Sequence, residues 1–308
     1  MLSRLKLSTR LPLSYAIGWI IVSTLLCTGG SFAYLKHYLK KKYQKAFSYE
    51  NQIHSIIQTG PQKEALKTEY LAEILQISRD VPTSMVFFNE EVAKQRLLSS
   101  PLIAQADVKV LKPSALYIDY TIRQPVAWIE DYENVVMDKA GYPFPFYPFL
   151  SPKNLPYIYF GLSSFGRPST DSNKPVVNWK EAMTGPYVNL AFSLLQLIHE
   201  IGLSHVVRID LSHAFASSCG KREIVLTVDN VIVEWRNGLE QQIVFPHLLR
   251  LGAKNYREQL INYLNLKGEL IEQEKKNVIL QINQPFLRLR EKVIDLRLSK
   301  LAFVQSAS

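Results

Sequence analysis

The sequence predicts an α+β protein held at a membrane by one N-terminal helix, followed by a mostly antiparallel, β-rich region with flanking helices. Three observations carry this. Residues 11–35 contain no charged side chain. From residue 51 onward, alternating apolar stretches outnumber helical ones. Several of those stretches follow one another directly, which favours antiparallel neighbours over helical crossovers.

The apolar run comes first. Its centre, from Ile17 to Leu26, is rich in Ile, Leu, Val and Trp. As a helix, 25 residues rise roughly 37 Å, enough for a hydrocarbon core of about 30 Å with some tilt. Tyr15, Tyr34 and Tyr38 fall where an interfacial aromatic belt belongs. Ser31, Phe32 and Ala33 make a small-x-small site, as in a cleaved signal peptide, but the run far exceeds the ~7–15 residues of a signal core. An uncleaved anchor is the expectation, with residues 1–10 as a short tail.

Charge supports the same division. The chain of 308 residues has 36 Lys+Arg against 27 Asp+Glu, a formal net charge of +9. Eight of the bases precede the first acid, Glu50. From Glu50 to the end there are 28 bases and 27 acids, so the excess marks the anchor rather than a nucleic-acid footprint. Three bases precede the apolar run and five follow it within ten residues. By the positive-inside count the large domain would be cytoplasmic, but that rule weakens before long domains, so charge leaves orientation open. Residues 36–50 read as a basic juxtamembrane linker touching anionic headgroups.

Residues 53–58 suggest a short strand and 63–77 a helix, with Leu66, Tyr70, Ile74 and Ile77 on one face. Asn89 is an N-cap for a second helix that Pro101 closes, with Glu90 and Glu91 in its first turn. Two strands follow. In one, Ala106, Val108 and Val110 alternate with polar residues; in the next, Leu116, Ile118, Tyr120 and Ile122 do. A hairpin is expected to turn at 138–141, leading into an aromatic-proline stretch that packs on the sheet. Residues 188–201 read as a helix with Ala191, Leu194, Leu195 and Ile198 inward. Val207, Ile209 and Leu211 form an alternating strand. Ile224, Leu226 and Val228, then Val231, Val233 and Trp235, flank Asp229 and Asn230, which read as a two-residue hairpin turn. Residues 255–276 are helical, and the chain closes with strands around Ile294, Leu296 and Leu298 and over 301–305.

Catalytic patterns are weak. His199 and Glu200 begin like a zinc-protease motif, but the next histidine, His205, lies six residues on, about 240° around a helix and past Gly202. Asp210, His213 and Cys219 lie in a polar loop with nothing to fix a nucleophile geometry. Asp119, Glu130, Asp131 and Glu133 read as solvated carboxylates. The two cysteines, Cys27 and Cys219, lie far apart in sequence and support no disulfide framework. The expectation is a protein that binds rather than catalyses, with no cofactor, metal, nucleic acid or small-molecule substrate.

A more specific pattern lies at 101–129. Pro101 and Ala106, Lys112 and Pro113, and Ile122-Arg123-Gln124-Pro125-Val126-Ala127 resemble successive motifs of the FtsQ/DivIB family of bacterial cell-division proteins. Asp138 to Gly141 is similar to that family's D-x-x-G turn, and Asp295-Leu296-Arg297 to its terminal D-L-R strand. Leu298 stands where the family commonly has an aromatic residue. The resemblance implies a tail (1–10), a transmembrane helix (11–35), the linker (36–50), a βααββ POTRA domain (51–128) and a β-rich partner-binding domain (129–308). It implies an inner-membrane, single-pass divisome scaffold with its N-terminus in the cytoplasm and its large domain outside. Its partners would be FtsB/FtsL-type coiled-coil proteins, added as a strand near the C-terminus, with Leu298, Lys300, Ala302 and Val304 as candidate contacts. The alternative is a POTRA-type component of a transport or secretion system.

Overall fold

The computed structural model describes residues 13–60, 64–78, 80–161, 167–169, 172–236, 239–277, 286–298 and 301–306. Helix α1 (Leu13–Ala46) is long and apolar enough over Ile17–Ala46 to cross a membrane. It runs past the expected linker boundary. Nothing from Lys36 to Ala46 breaks a helix, and the lysines there favour the negative C-terminal end of its dipole. The helix stops where side chains take over its last carbonyls: Ser48 Oγ and Asn51 Nδ2 both donate to Lys45 O, at 2.8 and 2.7 Å.

After α1 the elements run β1 (Ser55–Thr59), α2 (Thr68–Leu75), α3 (Glu90–Leu98), β2 (Ile103–Leu111) and β3 (Ala115–Ile122). The three strands form one sheet in the order β1-β3-β2, with β1 parallel to β3. Helix α2 is shorter than expected at both ends: extended Lys67 delays its start to Thr68, and left-handed Gln76 ends it after Leu75. Its buried side chains are Leu71 and Leu75, one position on from the Tyr70/Ile74 face read from the sequence. Asn89 caps α3 as expected, its side-chain oxygen accepting from Val92 N at 3.1 Å. Alternation in β2 and β3 also holds: Ala106, Val108, Leu116, Ile118, Tyr120 and Ile122 are buried.

The remaining elements are β4 (Pro125–Ile129), β5 (Val135–Asp138), β6 (Pro143–Pro145), β7 (Tyr157–Tyr159), β8 (Arg167–Ser169), β9 (Ser172–Val176), α4 (Pro186–Glu200), β10 (Val206–Asp210), β11 (Ile224–Arg236), β12 (Leu239–Leu251), α5 (Tyr256–Asn277), β13 (Phe286–Arg288), β14 (Lys292–Asp295) and β15 (Phe303–Ser306). Apart from the small β8–β9 hairpin, they build one large sheet in the order β15-β14-β12-β11-β10-β7-β4-β5-β6, with β13 also on β12. The sheet is mixed rather than mostly antiparallel. Helix α4 carries the chain from β7 to its parallel neighbour β10, and α5 from β12 to parallel β13 and β14. By compactness the chain divides into two units: Met1–Thr59 with Lys67–Leu97 and Ala106–Asp119, and Gly60–Leu66 with Leu98–Gln105 and Tyr120–Ser308.

The 138–141 turn forms where expected. Asp138 Oδ1 accepts from Ala140 N and Tyr142 N, both at 2.9 Å, while Oδ2 takes Arg123 Nη1 at 2.7 Å. Arg123 lies over the Tyr142 ring and donates to Pro101 O at 3.1 Å. Two resembling motifs therefore meet in one partly buried ion pair. Gly141 has φ +85° and packs so that an added Cβ would sit 3.0 Å from Met183 O, so glycine is required there. Phe144 and Phe146 of the aromatic-proline stretch are fully buried.

Three strand expectations change. Asp229 and Asn230 form no turn: β11 runs straight through them, pairing residue by residue with β12 out to Arg236↔Leu239. Between Arg236 and Leu239 the sequence has Asn237 and Gly238, which lie outside the described residues; Asn-Gly favours a two-residue hairpin. Continuity preserves parity along β11, so Asn230 is buried while Val233 and Trp235 are exposed. Val207 faces outward because the β10–β11 register shifts between Val206 and Arg208. Strand β12 has no counterpart among the strands expected from sequence, and it carries Pro246 within a central position of the sheet. Val244 O and Arg250 O accept from Leu289 N and Leu296 N, so the even-numbered backbone of β12 faces β13 and β14. Pro246 then falls in the gap between their pairings, where no ladder donor is needed.

Under α5 lies a buried polar chain. Asn230 Nδ2 donates to Tyr263 Oη at 3.0 Å and to Phe245 O at 3.2 Å. Glu274 Oε1 accepts from His247 Nε2 at 3.0 Å and lies 3.3 Å from Lys292 Nζ. With Nε2 turned to Glu274, Nδ1 lies 2.9 Å from the Tyr263 hydroxyl. Burial pushes the Tyr263 phenol up to about 12. Burial also opposes ionisation of Glu274, but the His247 hydrogen bond and Lys292 outweigh it and hold the carboxyl below its usual 4.5. Tyr263→Phe should destabilise the fold by about 1–3 kcal/mol, because Asn230 and His247 both lose a buried partner; urea unfolding midpoints measure this. The stability contributed by ionised Glu274 is complete above its ordinary pKa of 4.5 and is lost as pH falls through the lower folded value. Glu274→Gln should flatten that acid limb in midpoints taken from pH 7 downward.

Candidate partner-binding edge

The two ends of the large sheet differ in what their backbones offer. At one end, Phe146 N donates to Asn134 O and Asp138 N to Tyr142 O, so the even-numbered residues of β6 face β5. Pro143 and Pro145 therefore point outward, and neither has an N–H to give a further strand. At the other end, Leu296 N bonds Arg250 O, which turns the even residues of β14 toward β12 and Val293 and Asp295 toward β15. Their partners, Gln305 and Phe303, face back. Val304 and Ser306 are left with N–H and C=O directed away from the sheet, and β15 has no second neighbour among the described residues.

Strand β14 is pinned from both faces. Ile294 and Leu296 are buried in the apolar core. On the opposite face Arg297 wraps back, with Nη2 2.6 Å from Asp295 Oδ2 and Nη1 3.3 Å from Glu223 Oε2; Arg250 Nη2 lies 2.6 Å from the same Glu223 oxygen. Burial would raise the Asp295 carboxyl, yet hydrogen bonds and charge from Arg297, with Arg250 nearby, hold it below the usual carboxylate range. The D-L-R residues thus combine one core anchor with a charged clamp. Beside them lies an open cleft of about 710 Å³, bordered by Arg222, Lys254, Arg297, Leu298 and Phe303.

The candidate contacts fall around this edge. Leu298 is 56% exposed on the cleft rim, rather than inward with Ile294 and Leu296, because β14 ends at Asp295 and the chain turns. Ala302 is half-buried against the core, and Val304 sits across from Ile294 at 42% exposure. Lys300 lies outside the described residues. Phe303, exposed and on the cleft rim, is a neighbour that sequence reasoning missed; its place beside Leu298 depends on the β14–β15 turn.

The residues weighed for catalysis scatter. His199 and His205 line a separate apolar cleft with Phe192 and Leu203, both histidines exposed to solvent. Asp210 is committed to Arg208 at 3.0 Å and to Ser212, and Cys219 is exposed. Asp119 accepts from Thr59 Oγ1, and Glu130 pairs with Arg208. Asp131 is not the solvated carboxylate expected. Burial pushes it up, against hydrogen bonds from Phe160 and Gly161 N–H groups that favour the ionised form. No protein-family model matches the chain, and a search of curated proteins finds no match.

The backbone directions predict unequal effects of proline along β15. Val304→Pro removes only an outward N–H and should leave the unfolding midpoint near wild type. Phe303→Pro removes a donor facing Asp295 and should cost about 1–3 kcal/mol of unfolding free energy, with a correspondingly lower midpoint. Parallel urea titrations of the two variants test the assignment.

Proposed function

We propose that this chain is a non-enzymatic, single-pass scaffold of the bacterial division machinery, of the FtsQ/DivIB type. In this reading α1 crosses the inner membrane with the N-terminus in the cytoplasm, and β1–β3 with α2 and α3 form a POTRA domain. The β-rich region receives a strand from an FtsB/FtsL-type coiled-coil protein and so links early and late septation components. The observation that carries it is the contrast between sheet edges. One is closed by outward prolines, and the other offers the backbone of Val304 and Ser306, unpaired among the described residues, beside exposed Leu298 and Phe303. An added strand satisfies such groups in register, while alternate side chains set specificity. Further support comes from the βααββ element order and from the pairing of Arg123 with Asp138, which gives two resembling motifs a shared physical role.

Depletion should give filamentous, undivided cells, and normal septation after complete depletion would sink the reading. A peptide from the membrane-proximal region of a coiled-coil division partner should bind the purified full-length chain. Val304→Pro should weaken that binding about tenfold, the worth of one lost hydrogen bond. Co-purification with a translocation channel, and with no division protein, would favour a transport component instead.

A further inference from the structure

The end of α1 is fastened to the loop between α2 and α3. Ser84 Oγ donates to Ala46 O at 2.7 Å, Met85 N to Asn51 O at 2.8 Å and Ile53 N to Thr83 O at 3.0 Å. Phe87 packs on Tyr43 and Phe47, with ring centroids 5.3 and 6.0 Å apart. Ala46 and Ser84 are buried by this contact. The loop segment 81–88 contains no charged residue. Together with the helix end it exposes Tyr43, Phe47, Tyr49, Val81, Val86 and Phe87. Beside this apolar surface stand Lys36, Lys40, Lys41, Lys42 and Lys45; the acids closest in sequence are Glu50 after the helix end and Asp80, Glu90 and Glu91 on either side of the loop.

We infer that the 81–88 loop is a second membrane contact, resting in the headgroup layer of an anionic bilayer beside the point where α1 emerges. The inference rests on the reading that α1 spans the membrane. The hydrocarbon segment is then residues 17–39 of α1, ending four residues beyond the uncharged run 11–35; it rises about 34 Å and fits a core of about 30 Å at a tilt near 30°, with Lys36 snorkelling outward. Tyr43 then lies roughly one turn, about 6 Å, past the hydrocarbon boundary, inside a headgroup layer of some 5–7 Å. Phe87, stacked on Tyr43, is held at that depth. Aromatic rings favour this layer, and the lysines add attraction of about 1 kcal/mol each to anionic lipid. Because the loop belongs to the same compact unit as α2, α3 and β1, the contact would orient that unit on the membrane surface instead of leaving it to swivel on one helix.

The test uses the full chain with Cys27 and Cys219 replaced by Ser and one spin-labelled cysteine at Val86, Leu25 or Lys109. Each variant is reconstituted into vesicles of phosphatidylglycerol and phosphatidylethanolamine without other protein. Collision with oxygen relative to a water-soluble nickel chelate should be highest at 25, lowest at 109, and several-fold above the 109 value at 86. A lipid-like ratio at 25 with equal, water-like ratios at 86 and 109 overturns the loop contact alone, and leaves that apolar surface to a protein partner. A water-like ratio at 25 overturns the span, and the loop contact with it.

Discussion

Burying His247 under α5 obliges the fold to supply partners for both ring nitrogens, and much of the large sheet is arranged around that requirement. Tyr263 and Glu274, eleven residues apart on α5, reach the two nitrogens from one helix face. Asn230 from β11 completes the Tyr263 end, and Lys292 from β14 the Glu274 end. One hydrogen-bonded chain therefore crosses three adjacent strands and the helix above them. Apolar burial alone would tolerate α5 sliding along the sheet; a buried chain of directional bonds does not. It also sets the register at which β14 meets β12, and hence where β15 comes to rest.

That placement gives the edge asymmetry its meaning. A ten-stranded open sheet has two ends, and an unprotected edge invites association. Outward prolines on β6 close one end chemically. At the other, the Asp295–Arg297–Glu223 clamp and the buried Ile294 and Leu296 hold β14 firmly while β15 stays open. Adding a strand to a pre-ordered edge costs less ordering entropy than adding one to a mobile segment.

Much of the fold was legible because it depends on local pattern. The uncharged run, the Asn89 cap, the alternation of β2 and β3, the Asp138–Gly141 turn and both long helices of the β-rich region follow from spacing and capping chemistry. The failures share a cause. Asp229 and Asn230 look like a turn in any short window, but β12 supplies a partner for every residue of β11 across that point, and Tyr263 Oη and Phe245 O accept from the buried Asn230 amide nitrogen. Pro246 looks like a break until β13 and β14 leave the gap that accommodates it. Leu298 fits the alternation of a strand that in fact ends three residues earlier.

The candidate site was legible only as a neighbourhood. Residue identities near the C-terminus, and the motifs they resemble, pointed to Leu298, Ala302 and Val304 without saying which backbone groups face out. The sequence by itself determined what is written in period and charge: a membrane-length apolar helix with its basic flank, a βααββ order and alternating strands. Tertiary structure alone decided which strands are neighbours, that the sheet is mixed, that a His-Tyr-Glu chain lies beneath α5, and that β15 has no second neighbour among the described residues. The physical reason is that period and capping act within a few residues of chain, whereas pairing partners and free edges depend on segments tens of residues apart.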